Sequence, residues 1–195
     1  MKVLVTGAGG FLGLEVAKSL VDDGHEVVNL SRHHYVTLDP LNITTIKYDL
    51  SKDRDLDLKG FDAVIHCAAI AGVWGRKEDY YKTNYEGAIH LFDCAKNSGV
   101  KYFVYTSTPS VVFGNKDIIL GDESLPYPNK FYTHYAHTKA MAEKYILENS
   151  DHEMESIALR PHLIWGEGDP HLVPRIIQKA KAGSLKRVGN GDNLV

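Results

Sequence analysis

The strongest constraint on this chain is a glycine series, Gly7-x-x-Gly10-x-x-Gly13, set between the β-branched run Val3-Leu4-Val5-Thr6 and a segment with apolar residues at helical spacing, Leu12, Val16, Ala17 and Leu20. A strand, a turn and a helix in that order form the first unit of a βαβ pattern. Glycine there removes the Cβ that would hold the backbone away from a pyrophosphate, and the helix start offers free N–H groups and partial positive charge. A tight turn with a glycine kept for helix packing would use the same residues. The position at the first strand–helix junction favours a dinucleotide, with Gly7, Gly10, Phe11, Leu12 and Gly13 as its candidate contacts.

The alternation continues along the chain. Strands are expected at Glu26 to Leu30, Thr45 to Tyr48, Ala63 to Cys67, Tyr102 to Thr106 and Ser156 to Leu159; long helices at Tyr80 to Asn97, closed by Gly99, and at Tyr135 to Asn149. Runs such as Ala63-Val64-Ile65 and Phe103-Val104-Tyr105 are apolar on both faces, as parallel strands covered by helices require. The expected fold class is α/β, a doubly wound parallel sheet of the Rossmann type. Residues 1–160 read as a dinucleotide-binding domain and 161–195 as the start of a smaller substrate region, a division that suits a length of 195 residues with 44% hydrophobic content. Asn115 to Lys130, with Pro126 and Pro128, reads as a loop able to cover a site at the strand ends. Pro174 can start a helix through Ala180, with Gly183 after it, and Gly189 to Val195 reads as a turn followed by the first residues of a strand.

Several function classes are disfavoured. The net charge is −3 and no long run of one sign occurs, which argues against nucleic acid or an anionic membrane surface as partner. No stretch of about 18 uncharged apolar residues appears and the N-terminal apolar run is short, so a soluble cytoplasmic protein is the expectation. Cys67 and Cys94 are too few for a disulfide scaffold and read as reduced core thiols. His33-His34 and His134 with His137 lack a third ligand at a recognised spacing, so no metal is expected. Trp74 reads equally as pocket lining or packing.

The end of the second strand, where an acidic residue would hold a ribose 2′-hydroxyl, reads Asn29-Leu30-Ser31-Arg32-His33. Ser31 and Arg32 suit a 2′-phosphate instead, because guanidinium pairs bidentately with phosphate and a hydroxyl adds a donor. NADP(H) is therefore expected ahead of NAD(H). Asp49-Leu50, after the third strand, reads equally as an adenine-receiving pair and as an ordinary Asp turn. Tyr135 and Lys139 stand four residues apart on one helical face, where the ammonium can favour phenolate and make the tyrosine a usable general acid/base. The strand end Tyr105-Thr106-Ser107-Thr108 adds hydroxyls on the rim that carries the glycine turn.

Taken together, these residues resemble the extended short-chain dehydrogenase/reductase superfamily. Thr6 to Gly13, His66-Cys67-Ala68-Ala69, Asn84 with Gly87, Tyr105 to Thr108, Tyr135-x-x-x-Lys139 and Arg160 to Gly166 match its pattern over nearly the whole chain. Within it, Thr108 to Gly114, Asp122 to Tyr127 and Gly189 to Val195 look like the 3β-hydroxysteroid dehydrogenase branch, which includes sterol 4α-carboxylate 3-dehydrogenases and bacterial 2-alkyl-3-oxoalkanoate reductases. The stretch Ala69 to Gly75 looks most like the latter. The resemblance implies Tyr135 as proton donor, Lys139 as its electrostatic partner and ribose contact, and Thr108 at the position of the catalytic serine, with Ser107 as fallback. It further implies Ala68, Ala69 and Pro161 as dinucleotide contacts, Asn84 as a brace beneath the site, a homodimer, and a C-terminal portion beyond Val195 that completes the substrate pocket.

The expected activity is NADP(H)-dependent interconversion of a secondary alcohol and a ketone on an apolar small molecule, of 3β-hydroxysteroid or 3-oxo acid type. A nucleotide-sugar epimerase or dehydratase holding NAD is the alternative, weighed down by the missing acid after the second strand. A non-catalytic dinucleotide-binding module is a third reading, opposed by Tyr135 and Lys139 and favoured by the short C-terminus.

Overall fold

In the computed structural model, every residue is described except Val73, Asn115, Lys116, His171, Val188 and 191–195. The expected strand start within 189–195 therefore falls largely outside the described residues. Six strands form one parallel sheet: β1 (Lys2–Thr6), β2 (Glu26–Ser31), β3 (Thr44–Lys47), β4 (Ala63–His66), β5 (Tyr102–Thr106) and β6 (Glu155–Leu159), in the order β3-β2-β1-β4-β5-β6. Every pairing is parallel, with Val3 opposite both Val27 and Ala63. Strand order reverses direction between β1 and β4, the place where doubly wound sheets open a crevice at their carboxyl ends.

The helices are α1 (Phe11–Asp22), α2 (Lys77–Tyr80), α3 (Gly87–Asn97), α4 (His134–Glu148) and α5 (Val173–Lys181). Alternating strand residues split the core in two. Leu4, Val64 and Phe103 pack with Leu91 and Phe92 of α3 and Ile146 of α4, while Val3, Val5 and Val27 pack with Ala17 of α1. α3 stops where Gly99, at φ 79°, lets the amide of Val100 return to the carbonyl of Ala95.

Three features depart from the expected elements. The helix expected from Tyr80 begins at Lys77 and contains a π-helical turn over Tyr81–Glu86 before α3. That wide turn delivers Asn84 to the backbone of Ile70, accepting from its N–H at 2.8 Å and donating to its carbonyl at 2.9 Å. Short 3₁₀ helices form at Val36–Leu41 and Pro109–Val111. Cys67 and Cys94 are free but partly exposed rather than core thiols. The chain divides after His162, with the sheet in Met1–His162 and α5 in Leu163–Val195. Within the second unit the Asp169 carboxylate accepts from the amides of Leu172 and Val173 at the start of α5. Among the described residues, no helix is long and apolar enough to cross a membrane.

Candidate active site

A cavity of about 290 Å³ lies along the carboxyl ends of the strands. Gly7, Gly10, Phe11, Leu12 and Gly13 form one wall, Ser31, Arg32 and Tyr35 a second, Asp49 and Leu50 a third, and Cys67 to Ile70 with Thr83 the fourth. The glycine turn works by division of labour. Gly7 takes φ 75°, and a Cβ on Gly13 would stand 2.1 Å from the Gly7 carbonyl oxygen, so Gly13 is small because α1 packs against the turn. A Cβ on Gly10 would meet only that oxygen, at 3.3 Å, leaving its outer side open. Gly10 caps α1 without a side-chain bond, and no acidic residue sits in the first turn, so the leading amides and the helix dipole face the cavity uncompensated. This cradle fits an anionic pyrophosphate.

The second and third walls are organised by side chains. Asn29, fully buried, accepts from the Ala8 amide at 3.2 Å and donates to Ser31 Oγ at 2.9 Å. Ser31 Oγ in turn donates to the His33 carbonyl at 2.6 Å, so the hydroxyl hydrogen expected for a phosphate is already used within the loop. Arg32 is exposed and makes no ion pair among the described residues. Asp49 Oδ1 accepts from both the amide and the hydroxyl of Ser51, at 3.0 and 2.6 Å, so the residue is an Asp turn and a cavity wall at once. Those bonds, with Lys52 and Arg32 nearby, hold its carboxyl below the usual range against the opposing effect of burial.

Farther along the rim, β5 and α4 bring the second group together. Lys139 is 2% exposed and donates its ammonium to the Thr106 carbonyl, over the Tyr105 ring at 4.1 Å from the centroid. Thr106 Oγ1 donates to Cys67 Sγ at 3.4 Å, which joins this group to the cavity wall. Burial lowers the Lys139 pKa to about 7, with Cys67 and Glu143 acting in the opposite sense. Thr108 accepts from the Ser110 amide, starting the 3₁₀ helix, and its hydroxyl donates to Ser110 Oγ at 3.3 Å, whereas the buried Ser107 hydroxyl has no partner among the described residues.

The Tyr135 phenol is shifted by its own surroundings. Burial raises the Tyr135 pKa; Thr108 draws it down and Tyr80 adds to the rise, but Lys139 is not among the groups acting on it. The lysine reaches instead for the β5 carbonyl end and carries its own desolvation cost. Pro161 follows β6, two strands beyond β4, and is not among the walls of this cavity. Neither are Thr108, Tyr135 and Lys139.

Glu143 was not singled out in the sequence. Glu143, one turn beyond Lys139 and fully buried, pairs with Arg160 and accepts from Tyr127 Oη at 2.8 Å, tying the loop before α4 to the end of β6. His66, also buried, meets Thr6 Oγ1 at 2.7 Å. Tyr80 donates to the carbonyls of Gly72 and Trp74, both at 3.1 Å, while the Trp74 side chain is 92% exposed. His34 pairs with Asp39, and His137 with Tyr81 Oη at 2.9 Å.

A parallel sheet in this strand order, a glycine cradle at its switch point and a Tyr-x-x-x-Lys helix beside it define the extended short-chain dehydrogenase/reductase class. More narrowly, the chain belongs to the 3-beta hydroxysteroid dehydrogenase/isomerase family, whose model matches residues 4–195. It is 42% identical to a 2-alkyl-3-oxoalkanoate reductase of Shewanella oneidensis, over 98% of this chain and 52% of that protein. It is 36% identical to the decarboxylating sterol-4-alpha-carboxylate 3-dehydrogenase of Mus musculus, over 100% of this chain and 54% of that one. The chain thus spans about half the length of these curated relatives. Among solved structures, MoeE5 in complex with UDP-glucuronic acid and NAD matches with a TM-score of 0.78 and 30% identity, over 92% of this chain and 61% of that one.

Proposed function

We propose that this chain is the dinucleotide-binding part of an oxidoreductase that interconverts a secondary alcohol and a ketone on an apolar substrate of 3-oxo acid or 3β-hydroxysteroid type, with NADP(H) preferred. The observation that carries the reading is the joining of Lys139, through Thr106 and Cys67, to the wall of the glycine-turn cavity, with the Thr108–Tyr135 pair on the same helix–strand rim. A nicotinamide held there would supply or take up the hydride. The reduced carbonyl oxygen then needs a proton, and the Tyr135 phenol, protonated at neutral pH with its pKa raised further by burial, gives it. Thr108 donates a hydrogen bond to the same oxygen, which places it against the phenol. Lys139 holds Thr106 and so the strand end from which Thr108 follows. The similarity to the 3-oxoalkanoate reductase favours a 3-oxo acid, and the NAD and UDP-glucuronic acid of MoeE5 keep a nucleotide sugar as the competing substrate class.

Arg32 supports NADP(H), because an exposed guanidinium beside Asn29-Leu30-Ser31, with no acidic residue there, has no competing ribose ligand. Calorimetric titration of both dinucleotides tests this: NADPH binds more tightly, and Arg32→Ala weakens NADPH by about 1.5–3 kcal/mol while sparing NADH. Equal affinities in the parent refute the preference. Oxidation of NADPH against 3-oxo acids, 3-ketosteroids and UDP-sugars decides the substrate class. Turnover confined to the sugars overturns the reductase reading.

A further inference from the structure

We propose that Tyr35 is a positioning residue for dinucleotide selectivity: seated on Gly9, its ring clamps the loop after β2 onto the glycine turn and so fixes Arg32 at the cavity. The inference rests on the NADP(H) reading of Arg32 and deepens it. A Cβ on Gly9 would fall 2.2 Å from Cγ of the Tyr35 ring, 2.3 Å from Cδ2 and 2.5 Å from Cδ1. The ring therefore occupies the space of any side chain at position 9. Gly9 does not take a positive φ and is not among the cavity walls, so neither its backbone nor a ligand accounts for the glycine. Tyr35 does. Gly9 and Tyr35 form a matched pair across 26 residues of chain.

The loop between them is held at both ends. At its start, Asn29 links the Ala8 amide to Ser31 Oγ, and Ser31 Oγ donates to the His33 carbonyl. At its far end, Tyr35 packs against the Val3, Val5 and Leu38 cluster, and its carbonyl accepts from Leu38 at 3.0 Å to begin the Val36–Leu41 turn. Only Arg32, His33 and His34 lie between the anchors, and Arg32 has no ion pair of its own among the described residues to hold it. Its placement follows from the loop, which Tyr35 holds at its far end. Holding a long cationic side chain in advance reduces the ordering cost of meeting a phosphate.

The test is the ratio of NADPH to NADH affinity, measured by calorimetry for the parent, Tyr35→Ala, Tyr35→Phe, Gly9→Ala and the Gly9→Ala/Tyr35→Ala pair, with thermal unfolding as a check on the fold. Tyr35→Ala and Gly9→Ala each lower the ratio, by about tenfold if alignment of one charge-assisted bond is lost. Tyr35→Phe keeps it, since the ring and not the hydroxyl sits on Gly9. In the pair, the methyl at position 9 enters the space the ring leaves, so the double variant is no worse than Tyr35→Ala alone. A ring that only stacked on adenine, or only supported the fold, would weaken both dinucleotides together, and an unchanged ratio in Tyr35→Ala and Gly9→Ala overturns the proposal. A parent without NADPH preference, or one indifferent to Arg32→Ala, refutes the cofactor reading itself and the inference with it; a preference that depends on Arg32 but not on Tyr35 refutes the inference alone.

Discussion

The two ends of the site rim are built from different materials. At the β1–β2 end the groups offered to a ligand are backbone amides, made accessible by Gly7 and Gly10, and one exposed arginine. At the β5–α4 end they are ionisable side chains withdrawn from water: Lys139 donating to Thr106, Glu143 paired with Arg160, and Tyr135 with its pKa raised by burial. Backbone donors need no proton bookkeeping and face the cavity whatever the pH. Tyr135 and Lys139 have their pKa values set by burial first, so their state is a property of the fold. One end is suited to holding an anion and the other to timing a proton.

The largest expected effects separate ligand approach from packing within the first end. Gly10→Val places a side chain on the open outer face of the turn and should remove measurable dinucleotide binding while leaving the fold near parental stability, because its Cβ meets only the Gly7 oxygen at 3.3 Å. Gly13→Ala should do the reverse, costing about 1–3 kcal/mol of stability or more by driving a methyl against Gly7. Urea midpoints and calorimetric affinities for both variants check this. Gly13→Ala with a parental midpoint would break the assignment of that glycine to packing.

A smaller effect, chiefly on turnover, tests the second end. Tyr135→Phe removes one oxygen and should lower kcat by about 100-fold with dinucleotide affinity retained, as loss of a general acid predicts. Thr108→Ser should be mild and Thr108→Ala severe, because the methyl is dispensable and the hydroxyl is the group proposed to meet the substrate oxygen. Lys139→Ala should impair both binding and turnover. Tyr135→Phe turning over like the parent on the ketone found by screening would leave the second end without its chemistry.

What the sequence displayed and what it hid divide along similar lines. β1, β5 and the glycine turn were legible because their signals are local: a β-branched run, then glycines at fixed spacing. Lys139 was legible by its spacing from Tyr135, but its direction was not, since the Thr106 carbonyl that draws it lies 33 residues earlier. α4 hides its inward face for a related reason: Thr138, Lys139 and Glu143 are among its buried residues, so apolar periodicity understates what it buries. Glu143 reads as an exposed helix residue until Arg160 and Tyr127 are brought to it. Tyr35 carries no local signal at all, because its partner is the space above a glycine far back in the chain.

The smallest effect, and the one that sharpens the contrast in proton dependence, is on stability. His66 is pushed down from 6.5 to about 3, by burial first and then by Lys139. Between those values the unfolded chain carries a proton that the native state does not, so stability falls as pH drops through that window. Lys139, lowered from 10.5 to about 7, gives a second window of the same sign: above about 7 the native lysine has lost a proton that the unfolded chain keeps, and stability rises with pH. Each group contributes a slope of at most about 1.4 kcal/mol per pH unit. Urea midpoints should therefore climb from pH 5 to 6.5 and again from pH 7 to 8.5, below the range where the raised thiols of Cys67 and Cys94 begin to oppose the trend. His90 and His137, both lowered by burial, add to the acid window, so variants are needed to apportion it. His66→Gln should flatten the lower climb and Lys139→Met the upper, each leaving the other in place. Gly10→Val, at the backbone end of the rim, should change neither.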